Sequence, residues 1–586
     1  MNITVILLSM ASLFISSLIA GFAHRIFKKS KKIKPIYILL AGALIATFII
    51  MLYVDFKPPV HGKHTTIFLA LFHSIQVLLL GYDFEFLYET INITAEHSAF
   101  AYFYISALFL LAPIYTFSFV LSFFESFTSY LKYLWYRNRD IYIFSELSEK
   151  SLELARSIRK KFSGSVIAFA NVFDEASETT FDLKEESRKI KALHFKKDIS
   201  DMGLMFHSKN TKATFFTIGE SEPKNFEEAL AIIHNFNRRE NTELYVFSNS
   251  KEGQLLLDSV KKGCIKARRI NEDRQLAYSM LINNPITENY TEIEGNKVIS
   301  TLIVGFGGYG SELAKALLWC GQLPDYIPEI NVIDRNPLAE SFFTAECPEI
   351  MQLNNNTEFG EARYSLNFYN GIDVHSNEFC KTVSSLRNTS VVYVSLGNDE
   401  LNIETAVNLR VLFERIGLYP VIRTIVYSEI KYQMLNKSAL TYHHGNSYDI
   451  EIIGTIKDRF TFDKITNIEL ELAALKCHLQ WADTPEAIEE ETKRFYGYEY
   501  FRSSSIASAI HKNYRSEKYT EDEIFVAEHM RWNAYMRTEG YIFSGSCEKS
   551  SRNDRAKMHN NLHRFGLLDD ESIAKDRRVV MTGGKN

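Results

Sequence analysis

The chain has 586 residues, of which 46% are hydrophobic and 23% charged, and its formal net charge is −5. This balance gives no support to a nucleic-acid partner, since nucleic-acid binding requires a basic surface. The six cysteines are scattered without a Cys-x-x-Cys pair, which argues against a structural zinc site and a disulfide framework and is typical of a reducing compartment. Residues 1–136 are crowded with apolar and aromatic side chains, whereas the rest of the chain is mixed and charged.

Three apolar stretches near the amino terminus are long enough to cross a hydrocarbon core of about 30 Å as helices. They cover residues 3–24, 36–54 and about 100–124. A dense basic loop separates the first two, and further basic residues follow the third at 132–139. Because basic loops stay on the cytoplasmic side, we expect three crossings, with the amino terminus outside the cell and the body of the protein in the cytoplasm. The sequence therefore predicts a multi-pass protein in contact with membrane lipid.

A fourth apolar segment, residues 65–82, carries polar side chains near its centre and leads into Gly81, Tyr82 and Asp83. This order of span, semi-polar helix, Gly-Tyr-Asp and span resembles the pore helix and filter of potassium channels, which makes these three residues pore-like positions. The second glycine of the channel filter is missing, and this argues against K⁺ selectivity because a carbonyl cage needs that geometry. Three alternatives stay open: a re-entrant or interfacial helix, an extracytoplasmic amphipathic helix, and a fourth crossing. For the region as a whole, a simple anchor is the alternative to a pore.

After residue 136 short β-branched runs alternate with helical stretches, which is typical of βαβ units around a parallel sheet. In the first unit, residues 137–292, we predict a helix at 148–162 and strands at 141–145, 166–172, 214–219 and 244–248. The turn after its first strand has no glycine and contains Glu146, which would repel a pyrophosphate. We therefore expect a degenerate Rossmann-type domain that serves assembly.

The second unit, residues 293–460, carries a glycine-rich turn in the context that a dinucleotide site requires. A buried strand at 300–304 precedes Gly-Phe-Gly-Gly-Tyr-Gly (305–310), a helix follows to Cys320, and a second strand ends in Asp334. In such a loop the first glycine permits a tight turn, the second lets the chain approach a pyrophosphate, and the third allows close packing of helix on strand. The helix amino terminus then offers free N–H groups to phosphate.

Further strands are predicted in this unit at 365–369, 391–397, 421–427 and 449–454. The loop that follows 391–397 should lie at the edge of the sheet where ligands bind. Asp334 would hold ribose hydroxyls, and the adjacent Arg335 leaves a 2′-phosphate open. The predicted cofactor is NAD(H) or another nucleotide, and the predicted binding residues are Gly305, Gly307, Gly308, Gly310, Asp334, Arg335, Gly397, Asn398 and Asp399.

Two tandem Rossmann-like units directly after a membrane domain resemble the TrkA-N (RCK-type) modules of potassium channels and transporters. The resemblance covers residues 138–460, and its specific part is the glycine loop at 305–310. It implies nucleotide binding and a homo-oligomer, either a dimer or a tetramer.

The carboxyl-terminal segment, residues 461–586, contains a more specific pattern. An acidic residue, a histidine, a spacer and a tryptophan are followed by Gly-Tyr, and a later His-x-x-Leu element at 559–562 precedes an acidic run. This pattern resembles the RyR domain, a small helical repeat first recognised in ryanodine receptors and also found in bacterial proteins. The match covers residues 506–577, although at or near Arg564 the chain lacks a proline that the family often has. Its first element consists of Glu528, His529, Arg531, Trp532, Gly540 and Tyr541.

The RyR resemblance implies a ligand-sensing role. Bacterial RyR domains occur fused to TrkA-N units and to membrane spans, and they are thought to sense nucleotide-derived signals in anti-phage systems. A location in the bacterial inner membrane agrees with this. The residues expected to bind the ligand are Glu528, His529, Arg531, Trp532, Tyr541, Arg552 and His559.

The same residues can also be interpreted without the family. Residues 521–540 form an amphipathic helical pattern, so the polar residues could be a solvated face and the apolar ones the core of a helix bundle. In the functional alternative Arg531 and Arg552 contact phosphate and the other polar residues fix hydrogen bonds. Trp532 or Tyr541 then stacks on a base.

The expected fold class is a membrane α-helical region, two α/β domains with parallel Rossmann-like sheets, and an all-α RyR-like domain. The sequence shows no recognisable catalytic constellation and no metal-ligand spacing. Our main hypothesis is a membrane-embedded, ligand-gated effector or ion-channel-like protein that senses a nucleotide-derived signal. The alternatives are a membrane-bound NAD(P)-dependent oxidoreductase and a passive membrane scaffold.

Overall fold

The computed structural model describes residues 3–26, 35–55, 63–79, 81, 83–95, 98–123, 125–172, 178–204, 207–356, 358, 360–438, 450–482, 484–516 and 518–581. The chain divides into two compact units, Met1–Trp135 and Tyr136–Asn586. In the described residues the first unit is helical, and the second is built on two parallel sheets and a helical tail.

The described helices of the amino-terminal unit are α1 (Ile3–Ile26), α2 (Pro35–Asp55), α3 (Lys63–Leu78), α4 (Phe84–Ala95), α5 (Ala99–Phe123) and α6 (Glu125–Trp135). Among the described residues two of these helices are long and apolar enough to cross a membrane, over Ile38–Asp55 and Ala99–Phe117. The apolar parts of two others, Thr4–Ile19 and Thr66–Leu78, are shorter. The segments predicted to be spans are thus helical, and their insertion in a membrane stays a prediction.

Small side chains let α1 and α2 approach closely. A Cβ built on Gly42 would lie 2.2 Å from the Oγ of Ser16, so the contact requires a glycine. Nearby, Ser9 Oγ donates to the carbonyl of Ala46 at 3.1 Å and lies 2.7 Å from the hydroxyl of Tyr104. These polar groups are satisfied inside the helix bundle, as an apolar environment would require.

The first sheet of the second unit contains β1 (Ile141–Phe144), β2 (Val166–Phe169), β3 (Leu193–His194), β4 (Ala213–Thr217), β5 (Thr242–Phe247) and β6 (Lys266–Ile270). Its strands are parallel in the order β3-β2-β1-β4-β5-β6, which is the order of doubly wound Rossmann-type sheets. The helices of this part are α7 (Glu149–Lys161), α8 (Glu178–Lys189), α9 (Glu222–Phe236), α10 (Lys251–Ser259) and α11 (Glu272–Asn283).

Stacked aromatic rings on neighbouring strands form much of this core. The ring of Phe144 on β1 lies 5.0 Å from that of Phe169 on β2 and 4.9 Å from that of Phe216 on β4. Four strands and the first helix were predicted from the sequence and are confirmed within a few residues. β3 and β6 were not predicted.

The second sheet contains β7 (Thr291–Ile293), β8 (Asn296–Val304), β9 (Tyr326–Asp334), β10 (Ser365–Asn370), β11 (Val391–Val394), β12 (Val421–Ile425) and β13 (Ile450–Ile453). Its parallel strands follow the order β10-β9-β8-β11-β12-β13, and β7 pairs antiparallel with β8. The parallel α/β architecture predicted for this unit is therefore confirmed. The helices here are α12 (Gly308–Cys320), α13 (Ala339–Glu346), α14 (Pro348–Gln352), α15 (Asn377–Ser385), α16 (Asp399–Arg415), α17 (Glu429–Ser438), α18 (Ile456–Arg459) and α19 (Phe462–Thr466).

The tail contains α20 (Ile468–His478), α21 (Pro485–Gly497), α22 (Glu499–Lys512), α23 (Glu521–Thr538), β14 (Ile542–Phe543), β15 (Met558–His559) and α24 (Asp570–Met581). The all-helical prediction for this segment needs one correction, because β14 and β15 form a short parallel pair. The pair arises where Gly540, at φ +84°, follows α23, so that the N–H of Ile542 donates to the carbonyl of Lys557 at 2.8 Å.

The tail shares a hydrophobic core with the second sheet. Trp319 on α12 is only 1% exposed and packs edge to face against Tyr278 of α11 and Tyr535 of α23, at 5.6 and 6.3 Å between ring centroids. The boundaries predicted at 293 and 461 thus fall inside one compact unit.

Candidate functional site

Two glycines of the 305–310 loop are required by the packing of the second sheet itself. Gly305 has φ +94°, and a Cβ there would lie 2.4 Å from the carbonyl oxygen of Ser395. A Cβ on Gly310 would lie 2.2 Å from the carbonyl oxygen of Gly305. The tight turn and the close packing of helix on strand that the motif predicts are therefore present, and both exist without any ligand.

The other two glycines are exposed at the amino terminus of α12. Gly307 is the N-cap residue without a side-chain cap, and a Cβ there would meet no atom within 4 Å. At Gly308, however, a Cβ would lie 2.2 Å from Oδ2 of Asp273, a residue of α11. A carboxylate of the protein thus lies beside the helix terminus at which the motif predicts a phosphate.

Asp334 is engaged with the backbone around the loop. Its Oδ2 accepts the N–H of Phe306 at 2.6 Å, and its Oδ1 accepts the N–H of Asn336 at 2.7 Å. Both oxygens that the sequence assigns to ribose are therefore hydrogen-bonded within the chain. The neighbouring Arg335 is exposed and lines the same cavity.

The three predicted residues of the loop after β11 have different contacts. Gly397 and Asn398 line the cavity, and Asn398 caps α16 by accepting the N–H of Leu401 at 3.0 Å. Asp399 is buried and accepts the N–H groups of Tyr427 and Ser428 at 2.9 and 3.0 Å. Asp399 thus holds the chain that follows β12.

These groups enclose a cavity of about 620 Å³, which we call the glycine crevice. Its carboxylates, Asp273, Asp334 and Asp373, outnumber the exposed guanidinium of Arg335. Burial raises the pKa of Asp273, while the guanidinium of Arg459 opposes that effect. The residues as arranged do not fit the pyrophosphate of a dinucleotide, because its charge would meet that of Asp273 at the helix terminus.

The corresponding crevice of the first sheet is also acidic. Burial raises the pKa of the Glu228 carboxyl to about 7, and the nearby charge of Glu146 adds to this effect. Burial likewise raises the pKa of Glu146, the residue of the glycine-free turn. Glu146 and Glu228 thus influence each other's charge near the glycine-free turn, and repulsion of a pyrophosphate by this turn stays a prediction.

A different cavity, of about 560 Å³, lies in the tail, and we call it the tail cavity. Six of the seven residues predicted from the RyR resemblance line it: Glu528, His529, Arg531, Trp532, Arg552 and His559. The seventh, Tyr541, is buried outside the lining, with its ring 5.8 Å from that of Tyr500, which does line the cavity.

The polar part of the tail cavity is centred on Glu528 of α23. Its carboxylate accepts hydrogen bonds from Ser508 at 3.0 Å, Arg531 at 2.9 Å and Arg515 at 2.5 Å. Burial alone would raise the pKa of Glu528, but the two guanidinium groups outweigh it and lower the pKa to about 2. Glu528 is therefore ionised at neutral pH.

Arg531 retains unused hydrogen-bonding capacity. The residue is only 2% exposed, and its Nε and Nη2 donate to Glu528. Its Nη1 is buried and has no hydrogen-bond partner in the described part of the chain. Because buried donors are almost always paired, this group points to an acceptor that the described residues do not supply.

Aromatic rings form another part of the lining. The Trp532 ring lies 4.9 Å from that of His559, edge to face, and 5.9 Å from that of His529. Burial, together with the charge of Arg552, lowers the pKa of His559 to about 4, so this ring is neutral at pH 7. The Nδ1 of His559 accepts the N–H of Asn561 at 3.1 Å, which places the ring proton on Nε2.

Cations that are partly exposed complete the lining. Arg494, Lys549 and Arg552 have side chains that are 48%, 62% and 37% exposed. Sequence reasoning missed Arg494, Tyr500, Ser508 and Lys549. Arg494 and Tyr500 lie on α21 and α22 before the recognised pattern, and Ser508 and Lys549 lie within it at positions that no motif marks. Arg494, Tyr500 and Ser508 reach the cavity because α21 packs on α22 and α22 packs on α23.

No known protein family model and no curated protein matches this chain. The TrkA-N and RyR resemblances therefore stay predictions, and the geometry of the cavities carries the functional argument. In the described residues no group of three or more histidine, cysteine or acidic side chains is placed to hold a metal ion.

Gly81 and Asp83, two of the three pore-like residues, lie between the end of α3 and the start of α4. The N–H of Gly81 donates to the carbonyl of Gln76 at 2.9 Å at the end of α3, and Asp83 Oδ1 accepts the N–H of Glu85 at 3.1 Å at the start of α4. Tyr82 lies outside the described residues. The hydrogen bonds of Gly81 and Asp83 thus serve the ends of the two helices.

Proposed function

We propose that the protein is a membrane-embedded sensor whose tail cavity binds a nucleotide-derived ligand and whose output is a change in membrane permeability. One observation carries the proposal. Residues predicted from the sequence as a ligand set line a single cavity, and one of them, Arg531, has a buried guanidinium nitrogen without a partner among the described residues.

The chemistry of the tail cavity favours an anion that bears a ring. Guanidinium groups bind phosphate through charge-assisted hydrogen bonds, and Nη1 of Arg531 and the partly exposed guanidinium of Arg552 supply donors. Trp532 and the neutral His559 offer faces and edges for stacking on a base. Its volume of about 560 Å³ lies in the range of small-molecule sites.

The apolar helices α2 and α5 support the membrane part of the proposal. In the sensor, ligand binding must favour one of two states of the protein, which requires a coupling free energy of about 1–3 kcal/mol. An anti-phage role fits such an output, because loss of the membrane potential would stop the infected cell.

Binding can be tested on the full chain in detergent with a panel of ribonucleoside mono-, di- and cyclic nucleotides. We expect at least one nucleotide to raise the melting temperature of the wild type. Trp532→Leu and Arg552→Gln should each weaken binding about tenfold, since each removes one class of contact. Lys493→Gln is the control, because Lys493 is 73% exposed, pairs with Glu489 and lies outside the lining.

Failure of every nucleotide to stabilise the wild type would refute the proposal, as would binding by Trp532→Leu and Arg552→Gln at the wild-type level. The output is measured as ion flux from liposomes that contain the full chain. We expect flux to rise with the stabilising nucleotide in the wild type and in Lys493→Gln, and not in Arg552→Gln.

A further inference from the structure

A third cavity, of about 590 Å³, is formed where the first sheet meets the helical tail, and we call it the junction cavity. It is lined by residues of β6 and α11 together with residues of α19, α20 and α22. The carboxyl end of β6, at Ile270, belongs to this lining. Ligands of open parallel sheets bind beyond the carboxyl ends of the strands, so the cavity occupies a position suited to binding.

Most charges around the junction cavity are already balanced. Arg268 of β6 donates to both oxygens of Glu471 at 2.7 and 2.6 Å. Arg269 donates to both oxygens of Glu499 at 2.6–3.0 Å and also to two backbone carbonyls. The carboxylates nearest to β6 are therefore neutralised by its own arginines.

Arg502 of α22 lacks such close pairing. It lines the cavity and is only 6% exposed, and it makes no hydrogen bond and no ion pair within 4 Å with any residue that the structure describes, although its charge helps to lower the pKa of Glu499. The nearby carboxylate of Glu499 is taken up by Arg269. A guanidinium has five donors, and those of Arg502 border the cavity, where a bound anion could accept them.

A second guanidinium nitrogen in the same lining lacks an acceptor. Nη1 of Arg268 is buried without a hydrogen-bond partner in the described residues, and Oε1 of Glu243 lies 4.0 Å from it. Arg502 and this nitrogen together leave an excess of unused donors in a cavity large enough for a small molecule.

We propose that the junction cavity is an anion site for a phosphate-bearing small molecule, held by Arg502 and by Nη1 of Arg268. Phosphate oxygens match the planar fork of a guanidinium and can supply acceptors where the described residues offer none. The site is separate from the tail cavity, and none of the charged residues that line the tail cavity contributes to it.

The test uses the full chain in detergent and inorganic pyrophosphate as the probe, at constant ionic strength, with chloride as the reference anion. Pyrophosphate should raise the melting temperature of the wild type. Arg502→Gln should bind it about tenfold more weakly or worse, because a charge-assisted pair is lost. Without pyrophosphate the same variant should melt close to the wild-type temperature, since the substitution breaks no hydrogen bond and no ion pair within 4 Å in the described residues.

Two further variants make the outcome decisive. Arg502→Lys keeps the charge but not the fork, and should show intermediate binding. Arg552→Gln alters only the tail cavity, and should respond to pyrophosphate like the wild type. The proposal is overturned if Arg502→Gln binds as the wild type does, if it melts well below the wild type without the anion, or if Arg552→Gln abolishes the response. The last result would place the anion in the tail cavity and leave the proposed function intact.

Discussion

Serine placed at two glycines of the same loop should have opposite consequences. Gly310→Ser is expected to lower the free energy of unfolding by about 1–3 kcal/mol, the cost of overpacking a well-packed interior. Gly307→Ser is expected to leave it unchanged or to raise it by a few tenths of a kcal/mol, because serine is a preferred N-cap residue. The two variants carry the same side chain and lie three residues apart.

The magnitude follows from the atoms that a new Cβ would meet. At Gly310 the Cβ would be 2.2 Å from the carbonyl oxygen of Gly305, and the contact must open by about 0.8 Å to reach 3.0 Å. The backbone of Gly305 is held on both sides, because its N–H donates to Ile333 at 2.9 Å and its oxygen accepts from Ser395 Oγ at 3.0 Å. At Gly307 there is no atom within 4 Å, so nothing has to move.

Denaturation of the full chain in detergent, followed by circular dichroism, measures the difference. The two variants and the wild type are compared in parallel, with the same detergent and no added nucleotide. Equal stability of Gly310→Ser and Gly307→Ser would show that α12 does not pack on its strand as closely as described, and the reasoning about the loop would be wrong.

Two further predictions concern buried carboxylates. Asp273→Asn should let the glycine crevice bind NADH about tenfold more tightly than the wild type, because the substitution removes the charge beside Gly308. Binding is measured by the fluorescence of the nucleotide, and the control Asp373→Asn should increase the affinity less. Equal affinity of Asp273→Asn and the wild type would contradict the blocking role of Asp273. Glu528 titrates near 4.5 in an unstructured chain and at about 2 when folded, so its stabilisation is complete above pH 4.5 and is lost as the pH falls toward 2. The loss amounts to about 3 kcal/mol, and an acid-denaturation series should show a steeper decline for the wild type than for Glu528→Gln.

The second sheet could be predicted well because its strands are buried on both faces. Continuous β-branched runs such as those in β8 and β11 have no helical periodicity, and turn residues bound them. The structure extends β8 back to Asn296 and β9 back to Tyr326, and the two extensions pair with each other from Lys297 opposite Tyr326 onward.

The first sheet was predicted less completely because β6 does not look like a strand. Its sequence, Lys-Ala-Arg-Arg-Ile, is dominated by cations that would normally be exposed. Arg268 and Arg269 are buried there only because Glu471 and Glu499 come from distant helices to pair with them. Each arginine is more than 200 residues from its glutamate in the sequence, so no local pattern predicts that β6 is a buried strand.

The candidate sites show the same limit. The loop at 305–310 predicts the backbone of the turn correctly, since Gly305 and Gly310 fit where a side chain would not. The loop sequence could not predict the position of Asp273, which belongs to α11 and lies where the motif places a phosphate. In the tail, residues three and four apart on α23 fall on one face of the helix, and this periodicity brings Glu528, Arg531 and Trp532 together.

Helix α11 makes three attachments within six residues. Asp273 approaches the glycine loop, Arg274 pairs with Glu312 of α12 and with Glu539 just after α23, and Tyr278 packs on Trp319. A hinge between the two sheets would have to break a buried, two-carboxylate pairing of one arginine before it could open. We therefore expect rotation of one sheet against the other to cost free energy, and we expect the two sheets and the tail to move together.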